Sequence, residues 1–302
     1  MDLNNRLKQL QTIWPEVRWV DACLIECDHD VVILDNALVF RFSSHKVTHE
    51  PLDREIRFLG SLRERADLLV PDYIYIDKLF KVAGYKLLPG EPLTLEKWTE
   101  LTQEQIRGIA VGVAGVLDEV HRFPVDEAVA LGLPKERNLA EEFGLIRHSY
   151  SQMVQRGDLS RAEKEYCDDA LKQLTSFLSS SEGGPMKVIH ADIEFDHILC
   201  HGTKFGGIID FGDVAIGDPA FDFGFFWERG ETFVDEVLES YSQASDDLKR
   251  RSRWWWFGMA IQAMAQAAEE ENEGDWNRAY RLFPQDIAQP ERRFGPWHPP
   301  KP

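Results

Sequence analysis

Residues 188 to 213 constrain this chain more than any other part of its sequence. The segment contains three short apolar runs with the length of buried strands, at 187–189, 198–200 and 205–209. His190, Asp192 and His197 lie in the polar loop after the first run, and Asp210 follows the third. The pattern predicts two carboxylates presented from adjacent strand ends, with Asp210 beside the loop that carries Asp192.

Two carboxylates with different surroundings suit phosphoryl transfer from a metal-bound nucleotide. That reaction depends on positioning and electrostatics: one carboxylate accepts the proton of the attacking hydroxyl, and divalent cations neutralise the triphosphate. We assign Asp192 the first role and Asp210 the second, as a magnesium ligand. Each aspartate alone is explained as a turn cap or a strand end. The joint spacing, followed by a literal D-F-G, favours the chemical interpretation.

The composition describes an ordinary globular protein with an acidic surface. The chain has 302 residues, 43% of them hydrophobic, and a formal net charge of −18. Without a basic stripe, such a charge argues against nucleic acid and favours a cationic small molecule, although solubility alone explains it equally well. No signal peptide or membrane-spanning run is recognisable, and the four scattered cysteines suggest no disulfide framework, so we expect a cytoplasmic protein with no membrane partner. The oligomeric state is left open.

Hydrophobic periodicity divides the chain into a sheet-rich and a helical part. The first part comprises a predicted helix near 3–13, strands at 20–26, 31–34 and 37–42, a helix at 51–68 and strands at 73–76 and 81–88. The segment 89–92, with two prolines and a glycine, reads as a linker. Further helices are predicted at 102–122, 138–155, 160–179, 231–243 and 246–271, and an irregular strap from Phe283. We therefore expect an α+β protein with lobes at 1–88 and 89–302, joined by a hinge at about 85–93.

The motif H-x-D-x-x-x-x-H followed by D-F-G resembles the catalytic signature of protein kinases. It is more similar to that of the aminoglycoside phosphotransferase and choline kinase family, and residues 216–223 resemble that family's G-D-P-x-x-D segment. The resemblance implies a bilobal protein-kinase-like fold, with a small antiparallel-sheet N-lobe and a larger, mainly helical C-lobe. It also implies ATP or GTP as co-substrate and Mg²⁺ as cofactor. In the last segment, Asp218 and Asp222 are expected to brace the loop.

Outside residues 188–223 the resemblance is weaker but extends over most of the chain. Arg41 stands where the family has a phosphate-binding lysine, and Glu55 where a glutamate pairs with that cation; a solvated charge on an edge strand is the alternative for Arg41. The main chain of Lys86 to Leu88, and specifically Lys86 and Leu88, is expected to meet the base. Residues 117–121 resemble the segment that precedes the catalytic loop. The expected phosphate loop, near residues 26–31, contains no glycine and three acidic residues.

His197 departs from the wider family, in which an asparagine helps to hold the second metal ion. A histidine there resembles the aminoglycoside 2''-phosphotransferases and the macrolide phosphotransferases, and residues 208–219 resemble the first group more. We expect His197 to bind the metal through a neutral imidazole nitrogen or to orient Asp192; a core histidine bonded to a carbonyl group is the alternative.

By the same resemblance, Glu228 and Glu231 are positioned to meet the amino groups of an aminoglycoside, and Asp213 is a further candidate. A solvated, dipole-favoured helix start is an equally good explanation for these carboxylates. The tryptophans at 254–256 are expected to pack in the core, with one possible sugar platform, and the glutamates at 269–271 to be solvated. We expect an aminoglycoside kinase acting at the 2'' hydroxyl and conferring resistance. The alternatives are a macrolide kinase, which needs a large apolar pocket, and a pseudokinase that binds a ligand without turnover.

Overall fold

The computed structural model describes residues 2–26, 30–43, 50–79, 81–136, 138–180 and 184–282. Part of the expected phosphate loop, residues 27–29, and the predicted strap from Phe283 lie outside these ranges. Within them the chain forms two lobes, a small sheet lobe and a larger helical lobe. The predicted α+β, kinase-like fold is confirmed.

The N-terminal lobe is built on an antiparallel sheet in which the described strands have the order β1-β2-β3-β5-β4. Its elements are α1 (Leu3–Ile13), β1 (Ala22–Glu26), β2 (Asp30–Leu34), β3 (Leu38–Phe42), α2 (Glu50–Arg63), β4 (Tyr73–Asp77) and β5 (Val82–Lys86). Strand β3 therefore occupies the middle of the sheet. Since successive side chains of a strand point to opposite faces, β3 presents two sets of residues to two different environments.

One face of this sheet is apolar and is covered by α1. Phe40 and Phe42 of β3 pack there with Val32 of β2 and Leu10 of α1, and all four are buried. The alternate residue Arg41 must then point to the other face, towards α2. The alternation of β3 thus places a guanidinium group where the two lobes meet.

The C-terminal lobe is mainly helical, and the larger core extends from it to Phe58, Leu59 and Leu62 of α2. Its elements are β6 (Glu91–Pro92), α3 (Leu95–Glu100), α4 (Gln103–Arg122), α5 (Val125–Ala130), α6 (Leu139–Arg156), α7 (Arg161–Ser180), β7 (Lys187–Ile189), β8 (Ile198–His201), β9 (Lys204–Ile208), β10 (Ala215–Gly217), α8 (Ala220–Phe225), α9 (Glu231–Ser240), α10 (Asp246–Glu269) and α11 (Glu273–Leu282). The long helices surround two small sheets that present the polar loops of the central segment. In the described part of the chain, no helix is long and apolar enough to cross a membrane.

The two lobes meet where the hinge crosses β9. The segment predicted as a linker is only partly irregular, because Glu91 and Pro92 form β6 and pair with β8. Gly206 lies directly under the hinge: a β-carbon there would come within 2.1 Å of the carbonyl oxygen of Pro89. This close approach requires glycine, and it fixes the position of β9 and of Asp210 beyond it.

Candidate active site

The loop after β7 carries Asp192, and hydrogen bonds to Asp222 hold its main chain. The carboxylate of Asp222 is completely buried and accepts hydrogen bonds from the main-chain N–H groups of His190 and Ala191, each at 2.9 Å. Ala191 has a φ of 70°, in the left-handed region that favours glycine. The bracing role predicted for Asp222 is therefore present, and it stabilises a backbone conformation that an alanine rarely adopts.

His197 connects the two aspartates of the site. Its Nδ1 lies 2.6 Å from the main-chain oxygen of Asp192 and 3.6 Å from the Asp192 carboxylate, and its Nε2 lies 3.8 Å from the Asp210 carboxylate. Because a carbonyl oxygen can only accept, Nδ1 carries a proton, and Nε2 is the ring nitrogen on the side of Asp210. His197 thus has the contacts of all three interpretations. Its Nδ1 bonds to a carbonyl group and lies near the Asp192 carboxylate, and its Nε2 is placed where it could bind a metal ion.

The expectation that Asp192 and Asp210 follow adjacent strands is wrong. Strand β7 pairs with β10, whereas β9 belongs to a separate sheet with β6 and β8. The two loops are joined instead by His190, whose Nε2 lies 3.1 Å from the main-chain oxygen of Ile209 and whose Nδ1 accepts from the N–H of Asp192 at 3.2 Å. The His190 side chain, rather than strand pairing, fixes the positions of the two loops that carry the carboxylates.

Arg41 links the N-terminal lobe to Asp210. It donates to Glu55 at 2.8 Å and to Asp210 at 2.9 Å, and Tyr73 donates to the other oxygen of Glu55 at 3.0 Å. Arg41 is only 7% exposed and lies on the central strand β3, so its interpretation as a solvated edge-strand charge is wrong. The planar guanidinium reaches both carboxylates at once, which a lysine ammonium does less well.

The two aspartates ionise differently. Burial raises the pKa of Asp192 to about 7, the charges of Glu194, Asp213 and Asp210 add to the rise, and His197 opposes it. Burial also acts to raise the pKa of Asp210, but Arg41 and His197 outweigh it and the pKa is lowered. At neutral pH the site therefore holds one carboxyl that exchanges its proton readily and one that stays anionic, which fits a base and a cation ligand respectively.

The donor set beside Asp210 fits a divalent cation held jointly with a nucleotide. In the described ranges no group of three or more His, Cys, Asp or Glu side chains gathers to hold a metal ion. Magnesium usually takes only one or two carboxylates from the protein and completes its coordination with phosphate oxygens and water. Asp210 matches this pattern as the carboxylate, and Nε2 of His197, a softer donor than magnesium usually selects, lies 3.8 Å from it.

The hinge, which is expected to contact a base, is fixed to β3 on one side. The N–H of Leu87 donates to the main-chain oxygen of Ala37 at 2.8 Å. Since alternate residues of an extended chain direct their main-chain groups to opposite edges, the N–H groups of Lys86 and Leu88 point away from β3, and that of Lys86 faces the side of β4. These are the two residues that the sequence selects for base contacts.

A cavity of about 300 Å³ lies beside the Asp192 loop, between α10, α11 and the end of α8. Glu228 lines this cavity, as expected of a substrate residue, and Trp256 forms part of its wall. Four of its charged lining residues are acidic, namely Glu194, Glu228, Glu270 and Asp275, and one is basic, Arg278. Glu194, Glu270 and Asp275 are missing from the residues selected by sequence, which treats the run at 269–271 as solvated.

The carboxylates of this cavity are not equally available. Glu228 forms an ion pair with Arg229, and Glu194 forms one with Arg278 at 3.7 Å. Among the described residues, Glu270 and Asp275 accept instead from the neutral amides of Gln266, at 2.9 Å, and Asn272, at 2.5 Å, which leave the negative charge uncompensated by that part of the chain. The acidic character of the cavity is therefore concentrated on α10 and α11.

The other two substrate candidates lie elsewhere. Asp213 is exposed and lines a second cavity of about 320 Å³, together with Ala191 and Glu136, on the opposite side of Met259. Glu231 is 65% exposed, pairs with Lys249 at 2.7 Å and lines neither of these cavities. For Glu231 the surface helix start is the better description.

Comparisons with known proteins show the family and the fold of this chain. Residues 27–255 match the family model described as the phosphotransferase enzyme family. Viomycin phosphotransferase from Streptomyces vinaceus is 28% identical over 163 residues, and the match spans half of this chain and half of that protein. The GDP complex of aminoglycoside 2'-phosphotransferase-IIIa has a TM-score of 0.81 at 21% identity, covering 95% of this chain and 99% of that one. Macrolide 2'-phosphotransferase MphH from Brachybacterium faecium has a TM-score of 0.67 at 17% identity, covering 97% and 99%.

Proposed function

The chain belongs to the phosphotransferase enzyme family, and on that premise we propose that it transfers the γ-phosphate of ATP or GTP to a hydroxyl of a cationic small molecule. The acceptor we propose is an aminoglycoside, phosphorylated at its 2'' hydroxyl, so that the enzyme confers resistance. The observation that carries the proposal is the pairing of a partly buried Asp192, whose pKa is about 7, with an anionic Asp210 that Arg41 holds.

Each residue of the site has a role in this proposal. Asp192 orients the acceptor hydroxyl and accepts its proton as the new O–P bond forms. Asp210 and Nε2 of His197 would hold Mg²⁺, which neutralises charge on the nucleotide phosphates. Arg41, kept in place by Glu55, supplies a fixed positive charge at the lobe interface. The N–H groups of Lys86 and Leu88 are the candidates for base recognition.

The acceptor preference follows from the cavity beside Asp192. Uncompensated carboxylates on Glu270 and Asp275 attract ammonium groups, and Trp256 offers an aromatic surface on which a sugar ring can pack. A macrolide needs a large apolar pocket. This cavity also has apolar walls, from Phe225, Trp256, Met259 and four alanines, so the preference for an aminoglycoside rests on its carboxylates. A pseudokinase is disfavoured because the candidate base and the metal ligand lie in one hydrogen-bonded cluster.

A turnover screen tests the proposal. The protein, with Mg²⁺ and either ATP or GTP, is incubated separately with kanamycin, gentamicin, viomycin and erythromycin, and the products are mapped by NMR. We expect a phosphate ester on an aminoglycoside hydroxyl and no product with erythromycin. A phosphorylated macrolide would contradict the acceptor assignment. Absence of product with every acceptor, together with no thermal shift by either nucleotide, would support the pseudokinase.

A further inference from the structure

A buried chain of polar side chains runs from α9 to the Asp192 loop. The hydroxyl of Tyr241, just after α9, lies 2.8 Å from Nδ1 of His121, on the last turn of α4. Nε2 of His121 lies 2.9 Å from the Asp222 carboxylate, which accepts the N–H groups of His190 and Ala191. The three side chains are at most 4% exposed, so no bulk water replaces a lost partner.

The direction of each hydrogen bond follows from the Asp222 carboxylate, which can only accept. The Asp222 carboxylate already accepts two main-chain N–H groups, so Nε2 of His121 donates to it as well. In the tautomer with its proton on Nε2, Nδ1 is an acceptor and the Tyr241 hydroxyl donates to it. Burial raises the pKa of Tyr241 above its ordinary range, with the charges of Asp118 and Asp222 contributing, so the hydroxyl keeps the proton that it donates.

The main chain next to Tyr241 is held in place independently of His121. The next residue, Ser242, donates its main-chain N–H at 3.0 Å and its hydroxyl at 2.7 Å to Asp118, one turn before His121 on α4. Two consecutive residues after α9 are thus fixed to two residues on one face of α4. The orientation of the His121 ring, and through it that of Asp222, is consequently set by a rigid contact between helices.

We infer that Tyr241 is a positioning residue for phosphate transfer, acting through His121 and Asp222 on the backbone that presents Asp192. Ala191 keeps its left-handed conformation, with a φ of 70°, against its intrinsic preference, and the two hydrogen bonds to Asp222 hold it there. Without the Tyr241 hydroxyl, Nδ1 of His121 is buried without a hydrogen-bond partner. The His121 ring can then rotate, and the Asp222 carboxylate can shift with it. The Asp192 carboxylate then loses its alignment with the acceptor hydroxyl. The kinetic part of this inference rests on the proposed function.

The test compares Tyr241→Phe with a matched control, Tyr150→Phe. Tyr150 is also buried and its hydroxyl donates to Asp168 at 2.6 Å, but it lies between α6 and α7, away from the loop. We expect Tyr241→Phe to lower kcat about tenfold, with the KM values for nucleotide and acceptor changed less than about twofold. In the ¹⁵N-HSQC spectrum of the protein without substrates, the amide resonances of His190 and Ala191 should shift. Tyr150→Phe should produce neither effect.

The possible outcomes separate this inference from the proposed function. A kcat for Tyr241→Phe equal to that of Tyr150→Phe would overturn it, as would unchanged His190 and Ala191 resonances. Equal losses in both variants would show a general effect of lost stability and would also overturn it. If the wild-type protein transfers no phosphate to any acceptor, the proposed function fails, while the amide shifts still decide whether Tyr241 positions the loop.

Discussion

At the scale of single residues, the site depends on how burial and a few fixed partners give Asp192 and Asp210 different pKa values. Asp192 is partly desolvated and faces other acidic groups, whereas Asp210 is bonded to a guanidinium. The spacing of the motif predicts two different roles for these aspartates from the sequence. The proton on Nδ1 of His197 cannot be predicted from the sequence, because it follows from the contact of Nδ1 with a carbonyl oxygen in the folded chain.

The ionisation of Asp192 predicts the acidic limb of the pH profile. Since the base must be deprotonated, activity should rise with pH through the pKa of Asp192, which burial raises to about 7. We expect kcat/KM to increase with a midpoint near this value rather than near that of an ordinary carboxylate. Steady-state rates from pH 5 to pH 9 provide the measurement, and a flat profile above pH 5 would contradict it.

The same pKa predicts a matching effect on stability. A raised pKa means that the folded state favours the protonated carboxyl, so stability present at low pH is lost as the pH rises towards about 7. Asp192→Asn removes this ionisation. Its Tm should therefore exceed that of the wild type at pH 8, and the difference should shrink at pH 5.

Arg41 predicts a different kind of loss. Arg41→Met leaves Glu55, which is completely buried, without its cation, and breaking a buried pair in this way costs about 3–5 kcal/mol. Urea denaturation measures this change in the free energy of unfolding. The double variant Arg41→Met/Glu55→Gln should recover a large part of it, because it no longer buries an unpaired charge. Equal stabilities of the single and double variants would contradict the role of Arg41 as the partner of Glu55.

At the scale of elements, local patterns predict the long helices but not the strand partners. Periodicity indicates α4, α6 and α7 within two residues at each end, because helices of this length bury a continuous apolar face. The helices α3, α5 and α8 have six residues each, too few to show a period. The pairing of β7 with β10 rather than β9 is set by the packing of the helices around them, which no local pattern records.

The contact between the hinge and β9 predicts that Gly206 tolerates no side chain. Gly206→Ala should lower Tm by several degrees, because the new methyl group overlaps the main-chain oxygen of Pro89. Gly115→Ala on α4 is the control, since a β-carbon there contacts nothing within 4 Å and alanine favours a helix by about 1 kcal/mol. Opposite signs of the two Tm changes are expected, and a neutral Gly206→Ala would refute the close approach.

At the scale of the whole molecule, the proposed acceptor cavity is assembled from elements far apart in sequence. Glu194 follows Asp192, Glu228 follows α8, and Glu270 and Asp275 lie at α10 and α11. The sequence points to Glu228 through a local motif, but the contribution of Glu270 depends on how α10 packs against the loop. The net charge of −18 becomes informative about function only once part of it lines a cavity.

The arrangement of the cavity predicts which glutamates recognise the acceptor. Glu270→Gln should raise the KM for a cationic acceptor severalfold with little change in kcat, because it removes an uncompensated charge that attracts an ammonium group. The effect should weaken at high salt. Glu231→Gln is the control, since Glu231 lies on the surface and pairs with Lys249. A larger rise in KM for Glu231→Gln than for Glu270→Gln would place the acceptor elsewhere.

The most direct test of the central claim is single-turnover phosphate transfer by the wild type and by Asp192→Asn, with Mg²⁺, radiolabelled ATP or GTP and an aminoglycoside. Asparagine has nearly the same shape as aspartate but cannot accept the proton of the hydroxyl. We predict that the wild type forms one labelled phosphate ester and that the variant, folded and at least as stable at pH 8, loses nearly all transfer. Transfer by Asp192→Asn at the wild-type rate would contradict the account.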